Sequence, residues 1–302
     1  MSEQGAGGGV DVVHADRHGF KHAKAAAVEE LANDPKDGTR CSAGTRAQAT
    51  LNTGWVDANA DERDWLRSFA NRRGTPVPVA SIEELWRLYA LGRVNEVLLL
   101  RFQQGHADGS SWMGPPISLD EYLAFAEALG LTVAEAPVFS PFYHEIVEVE
   151  NAEDDRQPLL LLDTIWPGLM LDQMLFSRAG VRVSGGRDLV SKTVAETSTL
   201  YWAYRRKNRA CQDRSQGWGS NSQWRTKFRR DYRVGQDLYY NVDGVHDLGA
   251  LEPPTEGSED LTREERIELL THRCFVTTTK PHDDLWPYND RLCESMKAVE
   301  EL

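Results

Sequence analysis

FYHEIVEVE, residues 142–150, is where this chain changes character. Before it, apolar residues recur at helical spacing. From it onward, short runs rich in Val, Ile, Thr and aromatic residues are separated by turn signals. The stretch itself predicts a strand. With a period of two, Tyr143, Glu145, Val147 and Val149 share one face, and His144, Ile146, Glu148 and Glu150 the other. The first face is apolar except for Glu145. A carboxylate on a core face must pair with a cation, bind a metal or carry a raised pKa. Glu145 is therefore a candidate general acid/base, and His144 beside it a second candidate for moving protons. The structural alternatives are an ion pair between Glu145 and an arginine from residues 205–233, and a surface or edge position for His144.

Toward the N-terminus three helices are expected. One starts near Asp61, with Trp65, Leu66 and Phe69 as its stripe and Gly74 as its stop. Ser81 and Glu84 form a capping box that opens a second, ended by Gly92. Ser118 and Glu121 open a third, running through Leu129. Val94–Gln103 reads as a buried strand and Leu131–Phe139 is strand-like, so residues 94–139 resemble one β-α-β unit. Residues 1–50 begin MSEQGAGGG and are expected to be a loosely ordered segment, leaving 51–302 as a single α+β domain. His14, His18 and His22 have the i, i+4, i+8 spacing that could share a zinc ion on a helix, but Gly19 weakens that helix.

Toward the C-terminus the expected strands are Leu159–Ile165, Leu169–Phe176, Gly180–Val183, Thr199–Arg205, Asp237–Val242 and Arg273–Thr279. Asp243-Gly244 signals a hairpin between residues 239–242 and 245–248. Thr262 and Glu265 cap a helix to about Leu270, and a last helix is expected over about Asp290–Glu300. The fold class is α+β: a helical first half packed on a mostly antiparallel sheet in the second, with a curved or barrel-like form as one option for that sheet.

Residues 201–233, YWAYRRKNRACQDRSQGWGSNSQWRTKFRRDYR, form the other informative stretch. They hold ten Lys/Arg against Asp213 and Asp231, a balance of +8; the whole chain carries −13, so the remainder carries −21. Most of the ten are Arg, whose planar fork suits carboxylates and phosphates and stacks on aromatic rings. Trp202, Tyr204, Trp218, Trp224, Phe228 and Tyr232 are interleaved with them. Either the surplus carboxylates neutralise these cations inside the fold, or the cations form a local positive surface for an anion. Ser220 and Gln223 have capping-box spacing, and Trp224, Phe228 and Tyr232 follow at i, i+4, i+8. A helix starting beside the Gly217-Trp218-Gly219 loop is expected, with its first N–H groups open to an anion. The same residues also alternate, so a strand is the competing assignment. Trp218, Asn221, Gln223, Arg225 and Arg229 are the candidate substrate-binding residues.

His282-x-Asp284 can place two ligands on one side of a strand, with His246, His272 or His144 as a third. His246, His282 and Asp284 are thus the candidate site for a divalent transition metal. No histidine follows His282, however, and the segment after Pro281 also fits an ordinary turn. His272 and Cys274, two apart on an expected strand, could form a nucleophile pair, though buried thiols are commonly packing. Walker, nucleophile-elbow, zinc-protease and dinucleotide fingerprints are all missing.

The four cysteines are far apart and form no CxxC pair, which fits free thiols in a cytoplasmic protein. No apolar run is long enough to span a membrane. The leading expectation is a cytoplasmic enzyme that acts on a small anionic molecule held by residues 201–233, with acid/base or metal-assisted chemistry. The alternatives are a nucleic-acid-binding or processing protein using the same basic and aromatic stretch, and a non-enzymatic protein-interaction module.

Overall fold

The computed structural model describes residues 59–74, 77–103, 113–200, 206–209, 228–250, 261–279 and 289–296. Three helices come first: α1 (Ala60–Ala70), α2 (Ile82–Leu98) and α3 (Leu119–Ala128). The capping boxes at Ser81 and Ser118 both form, each hydroxyl accepting from the N–H three residues on and each Glu side chain accepting from the cap's own N–H. Such a cap is worth about 1 kcal/mol.

Helix α2 does not stop at Gly92. It continues to Leu98 and tightens into a 3-10 turn, Leu99–Phe102. The strand expected over Val94–Gln103, and the β-α-β unit with it, are not formed. Val94, Val97, Leu98, Leu99 and Leu100 are all buried, and a helix end buried all round gives the same continuous apolar run as a buried strand. Gly92 serves packing instead: a Cβ there would stand 3.3 Å from the Phe228 ring.

The strands are β1 (Thr132–Val133), β2 (His144–Asn151), β3 (Leu160–Trp166), β4 (Leu169–Leu171), β5 (Met174–Ser177), β6 (Ala179–Gly185), β7 (Asp231–Val234), β8 (Asp237–Tyr240), β9 (His246–Asp247) and β10 (Asp290–Ser295). They form a seven-stranded sheet in the order β1-β4-β5-β7-β8-β10-β9 and a three-stranded sheet in the order β2-β6-β3. Pairing is antiparallel except between β2 and β6 and between β9 and β10. Neither sheet closes, which corrects the barrel-like option: the larger sheet ends in β1 and β9, which do not pair with each other. Two further helices, α4 (Lys192–Thr197) and α5 (Arg263–His272), complete the described elements; α5 opens on the expected Thr262–Glu265 capping box.

Other local expectations are also corrected. The turn at Asp243-Gly244 forms, with Gly244 N donating to Asn241 O at 2.8 Å. The chain after it pairs parallel with β10 rather than folding back on β8. Gly244 lies on the backbone of Asp290, where a Cβ would meet the carbonyl oxygen at 2.5 Å. Residues 290–295 are a strand, not a helix, because they fill the slot between β8 and β9, and two neighbours' ladder bonds override local propensity. Residues 273–279 are not a strand. Arg273 ends α5 in the left-handed conformation at φ 62°, and the Glu268 carboxylate accepts from the backbone N–H groups of Val276, Thr277 and Thr278. His272 and Cys274 therefore do not share a strand face. Asp231 and Tyr232 belong to β7, so the strand assignment holds there. Residues 1–50, with His14, His18 and His22, and the expected helix start at 220–227 lie outside the described residues.

The larger sheet is buried on both faces. Leu169, Leu171, Met174, Phe176 and Tyr232 pack with the three N-terminal helices. Met170, Leu175, Leu238, Tyr240 and Leu292 pack with Leu270 of α5 on the other side. In β2 the register slips between Ile146 and Glu148, and this bulge breaks the expected alternation. Val147 joins the helical core, while Ile146 and Val149 join the core of the smaller sheet with Val181 and Val183.

Candidate functional site

Strand β5 of the larger sheet ends at Ser177 and β6 of the smaller sheet begins at Ala179, so Arg178 is the one residue between these two strands. Its backbone is held firmly. Trp166 Nε1 donates to Arg178 O at 3.1 Å, and Ala179 N donates to Tyr143 O at 2.9 Å. The Trp166 indole reaches this position because it lies on Gly180, where a Cβ would stand 2.3 Å from the ring.

The Arg178 side chain is 2 % exposed. None of Nε, Nη1 and Nη2 has a hydrogen-bond partner among the described residues, whereas a buried guanidinium ordinarily finds partners for its N–H groups. Asp231 stands 3.7 Å from Nη2, too far for a hydrogen bond. Burial pushes the Arg178 pKa down to about 9; Arg273 and Arg229 add to the effect and Asp231 opposes it.

Asp231 is itself committed elsewhere. Its Oδ1 accepts from Arg229 Nε at 2.7 Å and Asn241 N at 2.8 Å, and its Oδ2 accepts from Arg273 Nη2 at 3.2 Å. Burial works to raise its pKa, but the guanidiniums of Arg229, Arg273 and Arg178 outweigh burial and hold the carboxyl at about 2.

Arg178 lines a cleft of about 40 Å³, room for roughly three water-sized groups. Helix α2 contributes Arg93, Asn95 and Glu96 to its wall, β2 contributes Glu145, and Arg206 and Arg273 complete the charged lining. Phe176 and Phe228, stacked with centroids 5.7 Å apart, form the apolar side. Arg206 is clamped between two carboxylates: Nε and Nη2 donate to Glu145 at 2.5 and 3.1 Å, and Nη1 and Nη2 to Glu96 at 2.6 and 3.2 Å. Burial acts against its charge, yet Glu145 and Glu96 more than compensate and raise its pKa. Beside this clamp, Tyr122 OH donates to Asn95 Oδ1 at 2.8 Å, and Asn95 Nδ2 donates to Ser177 Oγ at 3.0 Å.

Among the residues singled out from sequence, Glu145 lies in the cleft wall, and its partner Arg206 comes from the basic stretch, as the ion-pair alternative expected. His144 is buried rather than at a surface or edge. It stacks on Phe139, which also stacks on His272. Burial, with Arg178 adding, pushes the pKa of His144 down to about 4 and that of His272 down to about 3. Arg229 is buried beside the cleft on Asp231. Trp218, Asn221, Gln223 and Arg225 lie outside the described residues, as do His282 and Asp284. His246 is half-buried on β9. Among the described residues no group of three or more His, Cys, Asp or Glu could hold a metal ion.

Arg233 is exposed, but the other described cations of the basic stretch are bound within the fold. Arg209 donates to the carbonyls of Ile146, Ala195 and Ser198, Lys207 pairs with Glu148, and Arg230 with Asp243. Sequence reasoning missed Arg178 and Arg273. A signal for Arg178 was present: it is the lone cation in LMLDQMLFSRAGV, residues 169–181, and a charge inside an apolar run is a buried charge that needs a partner. Arg273 carries no comparable signal, since its place follows from the left-handed end of α5. No protein-family model, curated protein or solved structure matches the chain.

Proposed function

We propose that this chain binds a small anionic molecule by seating its acidic group against Arg178, in the cleft between α2 and the β5–β6 junction. One observation carries the reading: a guanidinium 2 % exposed lines a cleft with none of its nitrogens hydrogen-bonded among the described residues. A buried cation without hydrogen-bond acceptors is costly. A ligand carboxylate, phosphate or sulfate would supply acceptors, and further negative charge where Arg178, Arg229 and Arg273 share Asp231. The inward direction of Arg206, Arg209, Arg229 and Arg230 favours a small ligand over a polyanion, which needs an open basic groove.

Recognition is the part of an enzyme reading that the geometry supports. Glu145 gives both oxygens to Arg206, so its role in this reading is to fix one wall of the site. His144 is buried beyond the cleft lining and held neutral, and its role is packing.

The test is thermal unfolding of the wild type and Arg178→Met in phosphate, sulfate and acetate at matched ionic strength. The reading expects an anion-dependent rise in Tm in the wild type that Arg178→Met lacks. Equal responses of the two proteins to every anion would overturn it.

A further inference from the structure

We infer that the group taken by the cleft is a tetrahedral oxyanion, the phosphate or sulfate of a small molecule, and that Ser177 distinguishes it from a planar carboxylate. The inference rests on the reading that Arg178 holds an anion. Its own support is the direction of a hydrogen-bond chain.

Tyr122 OH donates to Asn95 Oδ1, and Asn95 Nδ2 donates to Ser177 Oγ. Tyr122, Asn95 and Ser177 are all buried. The Ser177 oxygen is thus used as an acceptor, and its hydroxyl proton has no acceptor among the described residues. Ser177 lines the same cleft as Arg178, its neighbour in the chain. The site therefore presents the N–H fork of Arg178 together with one O–H donor aligned by Asn95.

A carboxylate has two oxygens, and a side-on pair of N–H bonds from a guanidinium occupies both in one plane. A phosphate or sulfate offers two oxygens to the same fork and holds a third out of that plane for the hydroxyl. A hydroxyl donor off that plane is met best by the third oxygen of a tetrahedral ligand, because the lone pairs a carboxylate has left lie close to the plane the fork occupies. Asn95 acts as a positioning residue, since its Nδ2 holds the Ser177 oxygen as an acceptor and so leaves the hydroxyl proton for another partner.

The experiment is titration calorimetry of inorganic phosphate, sulfate and acetate into the full chain, the Ser177→Ala and Ser177→Thr variants, and Arg178→Met. The wild type is expected to bind phosphate and sulfate about tenfold more tightly than acetate, the effect of one hydrogen bond to a charged group. Ser177→Ala should abolish that preference while leaving acetate affinity unchanged, and Ser177→Thr, which restores a hydroxyl, should recover it. A preference for phosphate over sulfate would assign a phosphomonoester; the reverse would assign a sulfate ester. Acetate binding as tightly as phosphate, with both lost in Arg178→Met, would overturn the tetrahedral inference and leave the anion reading standing. A full preference retained in Ser177→Ala would remove Ser177 from the role. No binding of any of the three would overturn the anion reading itself.

Discussion

Arg178 and Asp231 stand 3.7 Å apart with side chains 2 % and 0 % exposed, opposite charges in one buried space without a hydrogen bond between them. The gap has a cause. Both oxygens of Asp231 already serve Arg229, Arg273 and the backbone of Asn241. Arg178 is left with Coulomb attraction alone and no acceptor for its N–H groups among the described residues. A cation so placed lowers the stability of the empty protein, and the proposed ligand is what would offset that cost.

Replacing this cation should therefore stabilise the empty protein. Arg178→Met keeps the length of the side chain and removes the buried charge. It should stabilise the fold by on the order of a few kcal/mol, the desolvation penalty of one buried ion, because Asp231 keeps Arg229 and Arg273 as partners. Chemical denaturation in an anion-free buffer measures it. A loss of stability of similar size would mean that Arg178 is a structural cation.

Removing the opposite charge should do the reverse. Asp231→Asn leaves three guanidiniums without their shared carboxylate and should cost about 3–5 kcal/mol. The carboxyl is held at about 2, below its ordinary 3.8, so the stability it contributes is present above about pH 4 and is lost as the pH falls toward 2. Acid titration of the wild type should show this loss, and Asp231→Asn should lack that component. Superimposable acid profiles would contradict the arrangement.

The imidazoles give a second pH signature at higher pH. His144 and His272 are held neutral, at about 4 and about 3 against an ordinary 6.5. Below pH 6.5 the unfolded chain takes up protons that the folded chain refuses. Stability should fall by about 1.4 kcal/mol per pH unit for each histidine, until the pH reaches the folded value. Ser140 N donates to His144 Nδ1 at 2.9 Å, which uses the lone pair that a proton would need. Replacing His272 with Phe, a ring that cannot titrate, should flatten the slope between pH 6.5 and 4 by one proton. An unchanged slope would show that His272 is not kept neutral.

The clamp on Arg206 predicts strong coupling. Glu145→Gln alone should cost about 3–5 kcal/mol, because it leaves a buried cation short of one carboxylate. The double variant Glu145→Gln/Arg206→Met should cost less than the two single changes added together. A double-mutant cycle in urea gives the coupling, and additivity within about 0.5 kcal/mol would mean that the pair does not interact.

The parts of this fold that were legible in the sequence are those set by local chemistry. The boxes at Ser81, Ser118 and Thr262 each formed a helix start, because a cap and its reciprocal Glu lie within one turn. Most strands around residues 142–185 were legible as well, since β-branched runs between turn signals have few other readings. Leu169–Phe176, expected as one strand, is instead the hairpin of β4 and β5, turning at Asp172 with φ 51°. What local chemistry does not determine was missed. Val97–Leu100 is a continuous apolar run, and such a run has no period to distinguish a buried helix from a buried strand. Residues 290–295 became a strand only because β8 and β9 lay on either side of them. The candidate site followed the same rule. Glu145 stood out as the one carboxylate on an apolar face, but the cleft depends on Arg178 at the junction of two sheets and Arg273 at a left-handed helix end, positions that exist only once the chain has folded.

The most direct test of the central claim is the 15N–1H NMR signal of the Arg178 side-chain Nε–H, assigned as the resonance lost in Arg178→Met and followed while inorganic phosphate is added to the full chain. A saturable shift of that resonance is expected as an oxygen acceptor arrives at a donor that has none among the described residues. A resonance that stays in place at saturating phosphate would contradict it.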